Sequence, residues 1–253
     1  MTMPSPATSA ASADPLTRAV REQVALGRLL PLGGADDTSW ITENAAVRVL
    51  RRACAGLPGI RLGAVDAALD MPSPDTPLAA PAPGAPAGAL PHVPVRISAA
   101  FEAGIDEPLP AVAERLRSAL WSAATDLLGL AVTAVDLRVT GLLDGPQPAP
   151  PADAPVAAGP AVSGGDPGGP LEVAALAVPG VVGLTAALAG FGSGLRVLDA
   201  TADDRHPGRR VQIQIAVAPG LVPLQVARQV ATAVTTAGAP GPVTVAVLVT
   251  DVG

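Results

Sequence analysis

One pattern constrains this chain more than any other: the same succession of elements is written twice. A helix-compatible run ends at Leu57-Pro58-Gly59-Ile60 and again at Val178-Pro179-Gly180-Val181. A polar turn region and a strictly alternating strand follow, Val95, Ile97, Ala99, Phe101 in the first case and Val211, Ile213, Ile215, Val217 in the second. Period two buries one face of each strand. Then come a glycine (Gly104, Gly220), a proline near a helix start (Pro108 and Pro110; Pro223) and an amphipathic helix. Val112-Ala113-x-x-Leu116-x-Ser118-Ala119-Leu120 aligns with Val226-Ala227-x-x-Val230-x-Thr232-Ala233-Val234. A closing strand ends both copies, Val135-x-Leu137-x-Val139-Thr140 and Val245-x-Val247-x-Val249-Thr250. Each copy orders as helix, Pro-Gly turn, strand pair, helix, strand. The expected fold class is α+β: two tandem repeats, each a small mixed sheet packed with helices on one face.

Composition sets the boundaries around the repeats. Of 253 residues, 52 are Ala, 27 Gly and 29 Pro. The Pro-rich stretches Met71–His92 and Gly145–Pro170 carry no hydrophobic period and read as extended, poorly ordered chain. The expected organisation is therefore a disordered tail (1–13), an amphipathic helix (14–36), a first lobe (37–144) enlarged by a loop (71–92), a linker (145–170) and a second lobe (171–253). In the helix, Asp14 caps, Pro15 takes the first position, and Leu16, Ala19, Val20, Gln23, Gly27 and Leu30 share a face.

Several function classes fall away. All 16 basic residues are Arg, the net charge is −6, and only Trp40, Phe101, Trp121 and Phe191 are aromatic. Nucleic-acid binding is not expected from that balance. The phrases Gly56-x-x-Gly59 and Gly180-x-x-Gly183 look like an RNA-binding KH loop but enclose no cation. The N-terminal residues lack the basic and apolar regions of a secretory signal. The uncharged run between Glu172 and Arg196 is broken by Pro179-Gly180 and further glycines, so a helix–loop–strand passage is expected rather than a membrane span.

The search for chemistry is negative. There is no G-x-S-x-G elbow, and the Gly190-x-Gly192-x-Gly194 run is not a phosphate or dinucleotide loop. Cys54 falls on the apolar side of its helix and reads as an inert thiol. Asp199, Asp203, Asp204 and His206 surround a Pro-Gly turn and match no metal motif. No catalytic, cofactor or metal residue is assigned. The candidate partner surface is Arg48, Arg51 and Arg52 on one side of a helix, Trp121 off its helix's buried face, and Arg18 and Arg21 on the N-terminal helix.

The first copy resembles the bacterial alkaline-shock (envelope stress response) proteins. The resemblance rests on the helix leading into Leu57-Pro58-Gly59-Ile60, on strand Val95–Phe101 followed by helix Val112–Leu120, and on Leu127-Leu128-Gly129-Leu130 before strand Val135–Val139. It extends more weakly over the second copy. It implies a non-enzymatic cytoplasmic protein without cofactors, associating with itself or with a single-lobe relative and held beneath the membrane through a membrane-anchored partner. The all-Arg, Ala-rich usage fits a high-GC, actinobacterial source. The reading from another class is a small-ligand binding module or enzyme that uses a cleft between the lobes, with His206 and the nearby Asp residues.

Overall fold

The computed structural model describes residues 26–71, 82, 84–144, 169–188, 194–198, 208–238 and 240–253. Among these residues nine strands and four helices follow one another as β1 (Leu29–Leu32), β2 (Ser39–Thr42), α1 (Glu43–Cys54), β3 (Ile60–Leu69), β4 (Val95–Gly104), α2 (Leu109–Ser122), β5 (Val132–Leu143), α3 (Pro170–Leu176), β6 (Val181–Leu184), β7 (Leu195–Leu198), β8 (Arg209–Val217), α4 (Pro223–Ala237) and β9 (Val243–Val252). A wide π-type turn, Ala123–Leu128, extends α2 and ends at Gly129, whose φ of 81° only glycine adopts freely. The α+β class holds.

The strands form two sheets. The small sheet is β3-β4-β5, with β3 antiparallel and β5 parallel to β4. In the large sheet, β6 and β7 lie in succession along one edge of β8, antiparallel to it, while β9 runs parallel along the other. The two halves thus share their order of elements and the sense of every pairing. They also share a detail. Pairing of β4 with β5 skips Thr140, between Phe101↔Val139 and Glu102↔Gly141. Pairing of β8 with β9 skips Thr250, between Ile215↔Val249 and Ala216↔Asp251. Each threonine is the extra residue of a bulge, and its hydroxyl donates to the facing carbonyl, Phe101 O at 3.1 Å and Ile215 O at 3.3 Å. At the other end of each half, Gly59 and Gly180 take positive φ, and their carbonyls accept from Gly104 N and Ala218 N, both at 2.8 Å.

The boundaries expected at the N-terminal side are corrected. Residues 1–25, and with them the tail and most of the helix placed at 14–36, lie outside the described residues. Leu29–Leu32 is a strand instead of the end of that helix. All four side chains are buried because apolar layers cover both faces of the strand. A short run buried on both sides carries no period to tell strand from helix. Pro31, which has no N–H to give a ladder, is tolerated because β1 is an edge. Nor do 37–42 belong with the first half. β2 pairs antiparallel with β1 and parallel with β9, so this N-terminal hairpin widens the sheet of the second half.

The halves do not close separate cores. One apolar cluster joins the inner faces of both sheets through the helices, with Ile97, Phe101, Leu50, Leu116, Leu120, Ile213, Ile215, Val230 and Val247 all essentially inaccessible. Helix α1 touches β3 of the small sheet and both β2 and β9 of the large one. That double contact buries Ala45, Ala46, Val49, Leu50 and Cys54, while Ala53 is exposed. Thr42 caps the helix, accepting from Ala45 N. The π-type turn rotates the chain past its helical register, so Leu128 enters the core and Leu127 faces outward.

The loop read as poorly ordered chain is also corrected in its described part. Ala82, Ala85, Ala89 and the neighbouring turns pack on the outer face of the large sheet against Leu29, Trp40, Ala246 and Leu248. Small residues let the backbone lie close, and its carbonyls are then satisfied from the sheet. Gln212 Nε2 donates to Gly84 O and Ala85 O at 2.9 and 3.0 Å, and Trp40 Nε1 donates to Leu90 O at 2.8 Å. The uncharged run after Glu172 is a helix–loop–strand passage through α3, β6 and β7. Among the described residues no helix is long and apolar enough to cross a membrane.

Trp40→Phe keeps a ring in place but strands the Leu90 carbonyl and leaves a void. We expect a loss of about 2 kcal/mol, read as a lower urea midpoint with unchanged slope. An unaltered midpoint would show that the loop is not held through this bond.

Candidate interaction surface

The arginine row of α1 is placed by helical spacing on the flank away from Leu50, and its guanidinium groups are engaged within the chain. Arg48 pairs with Asp251, the residue after the β9 bulge, and only 15% of its side chain is exposed. Arg51 Nη2 donates to Gly63 O at 2.6 Å, inside the irregular stretch of β3 between Leu62 and Val65. Arg52 Nη1 donates to Gly253 O at 2.7 Å. Two of the three therefore tie the first half's helix to the last residues of the second half, and the third closes a gap in the β3 ladder. Arg18 and Arg21 lie outside the described residues.

Trp121 is 39% exposed at the end of α2, off the Val112–Leu116–Leu120 face that enters the core. One helical turn before it, on the same flank, Arg117 pairs with Glu114 and reaches the Val135 carbonyl of β5 at 3.4 Å. Trp121 thus lies along the β5 side of α2. β5 itself is an edge: among the described residues nothing pairs with its outer side. Val139 and Leu142 on that strand are 38% and 63% exposed. Sequence reasoning singled out Trp121 and missed the edge, because edge and interior strands share one alternating pattern. The comparison within the molecule exposes it. β9, the counterpart of β5, has its outer side covered by β2.

Ion pairs hold the N-terminal hairpin to the elements around it. Arg228 of α4 makes two bonds to the Asp37 carboxylate, at 2.7 and 2.9 Å. Asp37 also accepts from Gly34 N at 2.8 Å. The Arg228 hydrogen bonds hold the Asp37 carboxyl below its ordinary value, against a burial effect in the other direction. Arg28 grips Glu43 with its side chain and its own N–H. Burial alone would raise the Glu43 carboxyl, but these bonds outweigh it and the net shift is downward. His92 stacks edge-on against Trp40 with centroids 4.9 Å apart, and its Nε2 is 3.2 Å from Ser39 O. Burial pushes the His92 imidazolium below its usual range. Cys54 is buried, and desolvation pushes its thiol up to about 11.

A small open cavity of about 190 Å³ lies within the first half, lined by Pro58, Gly59, Gly104, Asp106, Glu107 and Val112. Between the halves there is packed apolar core instead. Asp199, Asp203, Asp204 and His206 lie outside the described residues. No group of three or more metal-ligating side chains gathers among the described residues. Comparison with protein-family models, curated proteins and solved structures found no match for this chain.

Two outcomes follow from these contacts. Asp37 binds its proton less readily folded than unfolded, so its contribution to stability is present above about pH 3.8 and is lost as the pH falls through the lower folded value. The stability gap between wild type and Asp37→Asn, followed by urea unfolding, should therefore shrink on acidification below pH 4; a constant gap would sink the assignment. Cys54 should resist a thiol reagent at pH 7 in the folded protein and react fully once unfolded. Rapid labelling of folded protein would contradict its burial.

Proposed function

We propose that this chain is a non-catalytic, self-associating scaffold of the alkaline-shock (envelope stress response) type, acting through protein–protein contacts in the cytoplasm and reaching the membrane through an anchored partner. The observation that carries this reading is the unequal treatment of equivalent strands. β9 has its outer side covered by β2, whereas no strand among the described residues pairs with the outer side of the twelve-residue β5, which is flanked by exposed Trp121, Val139 and Leu142. An uncovered strand edge beside apolar side chains is a site for strand addition. We further infer that the halves arose by duplication. The shared pairing senses, the matched threonine bulges and the matched Pro-Gly turns support this. A duplicated lobe offers one chain a built-in equivalent of a dimer, with β5 left over for a further copy or a single-lobe relative.

The reading as a ligand-binding module or enzyme with an interlobe cleft finds little support, since the described contact between halves is close-packed. Arg51 and Arg52, each spent on a backbone carbonyl, are weaker candidates for an acidic partner than the β5 edge with Trp121.

The test is affinity capture of the full chain from cells grown with and without envelope stress, followed by membrane fractionation. The reading expects copies of this chain or family relatives in the captured material, and a larger membrane-bound share under stress. Recovery only in the soluble fraction, alone, under both conditions would overturn it.

A further inference from the structure

The sequence of β5 is self-complementary about its centre, and we propose that a second copy of this chain docks there, β5 against β5 in antiparallel register with the twofold axis at Leu137. This rests on the self-association proposed above and adds its surface and register. Read outward from Leu137, Asp136 stands opposite Arg138, Val135 opposite Val139, Ala134 opposite Thr140, Thr133 opposite Gly141, and Val132 opposite Leu142. A twofold axis makes every such pair occur twice. The strand then meets opposite charge with opposite charge, and apolar with apolar, at its central positions. Opposite charges directly across an antiparallel pair stabilise it, and like charges there oppose it.

The structure places these groups where the pairing needs them. Asp136 pairs with Ser98 in the ladder and Arg138 with Ala100, both on the outer face of the small sheet. Asp136 already holds Arg96 at 2.9 Å, leaving its second oxygen for a further cation. Arg138 is exposed and has no ion-pair partner among the described residues. On the opposite, helix-facing side, Val135, Leu137 and Val139 align with Ile97, Ala99 and Phe101, and Leu142 aligns with Ala103. Trp121 lies beyond Arg117 on the flank of α2 nearest this edge, toward the start of β5, the end at which the register brings the second copy's Leu142. The regular stretch Ala134–Val139 lies between two irregularities of the ladder, at Thr133 and Thr140. The Thr133 hydroxyl donates to Asp70 Oδ2 at 2.7 Å and lies 3.3 Å from Val95 O, and the Thr140 hydroxyl donates to Phe101 O at 3.1 Å, so both irregularities are tied to the β3–β4 side of the strand. The product is one six-stranded sheet, β3-β4-β5 continued by its copy, of the same strand number as the large sheet.

The register is testable by charge exchange on the full chain, using sedimentation equilibrium. Arg138→Glu sets one acid opposite each Asp136, and Asp136→Arg sets two arginines opposite each other. Each variant alone should dimerise at least about tenfold more weakly than wild type. Mixed in equal amounts, they should recover wild-type affinity as a heterodimer, because each charge then meets its opposite. Thermal unfolding of monomeric Arg138→Glu should match wild type, since Arg138 has no ion-pair partner among the described residues, whereas Asp136→Arg also loses its pair with Arg96 and should unfold at a lower temperature; should Asp136→Arg not fold, Asp136→Asn, which removes the charge without reversing it, should weaken the dimer less than Arg138→Glu does. Dimers of wild-type strength from both single variants, or no recovery on mixing, would overturn the register while leaving self-association standing. Wild-type protein that stays at the 24.8 kDa monomer mass at about 100 μM would overturn both.

Discussion

Everything in this molecule depends on a shared apolar layer that neither half can complete alone. A three-stranded sheet with two helices presents more apolar surface than its own elements cover. Here the surplus of each half meets the other. Leu50 on α1 and Phe101 on β4 belong to the same continuous cluster as Ile215 on β8 and Val247 on β9. Small side chains make this possible: with Ala45, Ala46, Ala123, Ala124 and Ala227 at the contacts, helices approach sheets and one another closely. The polar ties around this layer, Arg48 to Asp251 between the halves and Arg228 to Asp37 between α4 and the N-terminal hairpin, fix orientation more than they add stability.

The outer face of the large sheet shows how an Ala-, Pro- and Gly-rich segment can serve as covering. Ordinary covering by a helix brings large side chains. The described part of the 71–92 loop brings backbone instead, and the sheet answers with Gln212 and Trp40 as donors to the exposed carbonyls. The corresponding face of the small sheet carries Arg96, Ser98, Glu102, Asp136 and Arg138, residues that are at ease in water. The two sheets have thus been fitted to different surroundings although their ladders are alike.

Much of this was legible in the sequence. The alternating strands β4, β5, β8 and β9, the helices between them and the pairing of the two Pro-Gly turns follow from period and punctuation, which are local properties. Thr140 and Thr250 could be aligned by sequence, but their role as bulge residues could not, since a bulge exists only relative to a partner strand. Leu29–Leu32 was unreadable for the opposite reason. Burial on both faces erases the periodicity that distinguishes strand from helix. The loop at 82–92 misled because Pro-rich composition reports what a segment cannot do alone and is silent on a neighbouring surface that orders it. On the surface, Trp121 was marked by its odd position on a helical wheel. The edge character of β5 required the topology, as did the finding that Arg48, Arg51 and Arg52 are spoken for inside the chain.

The parallel pairing of β2 with β9 has a kinetic side. Thr38 donates to Val245 O and Thr42 to Thr250 O across separations of 207 and 208 residues, so almost the whole chain lies inside the loop these contacts close. Such a contact cannot form until the last strand has been made, and closing so long a loop is slow. On the ribosome, the edge of β2 that pairs with β9 must therefore stay open while everything between the two strands is synthesised. A sheet closed by so distant a pairing is protected once that pairing forms and exposed until then.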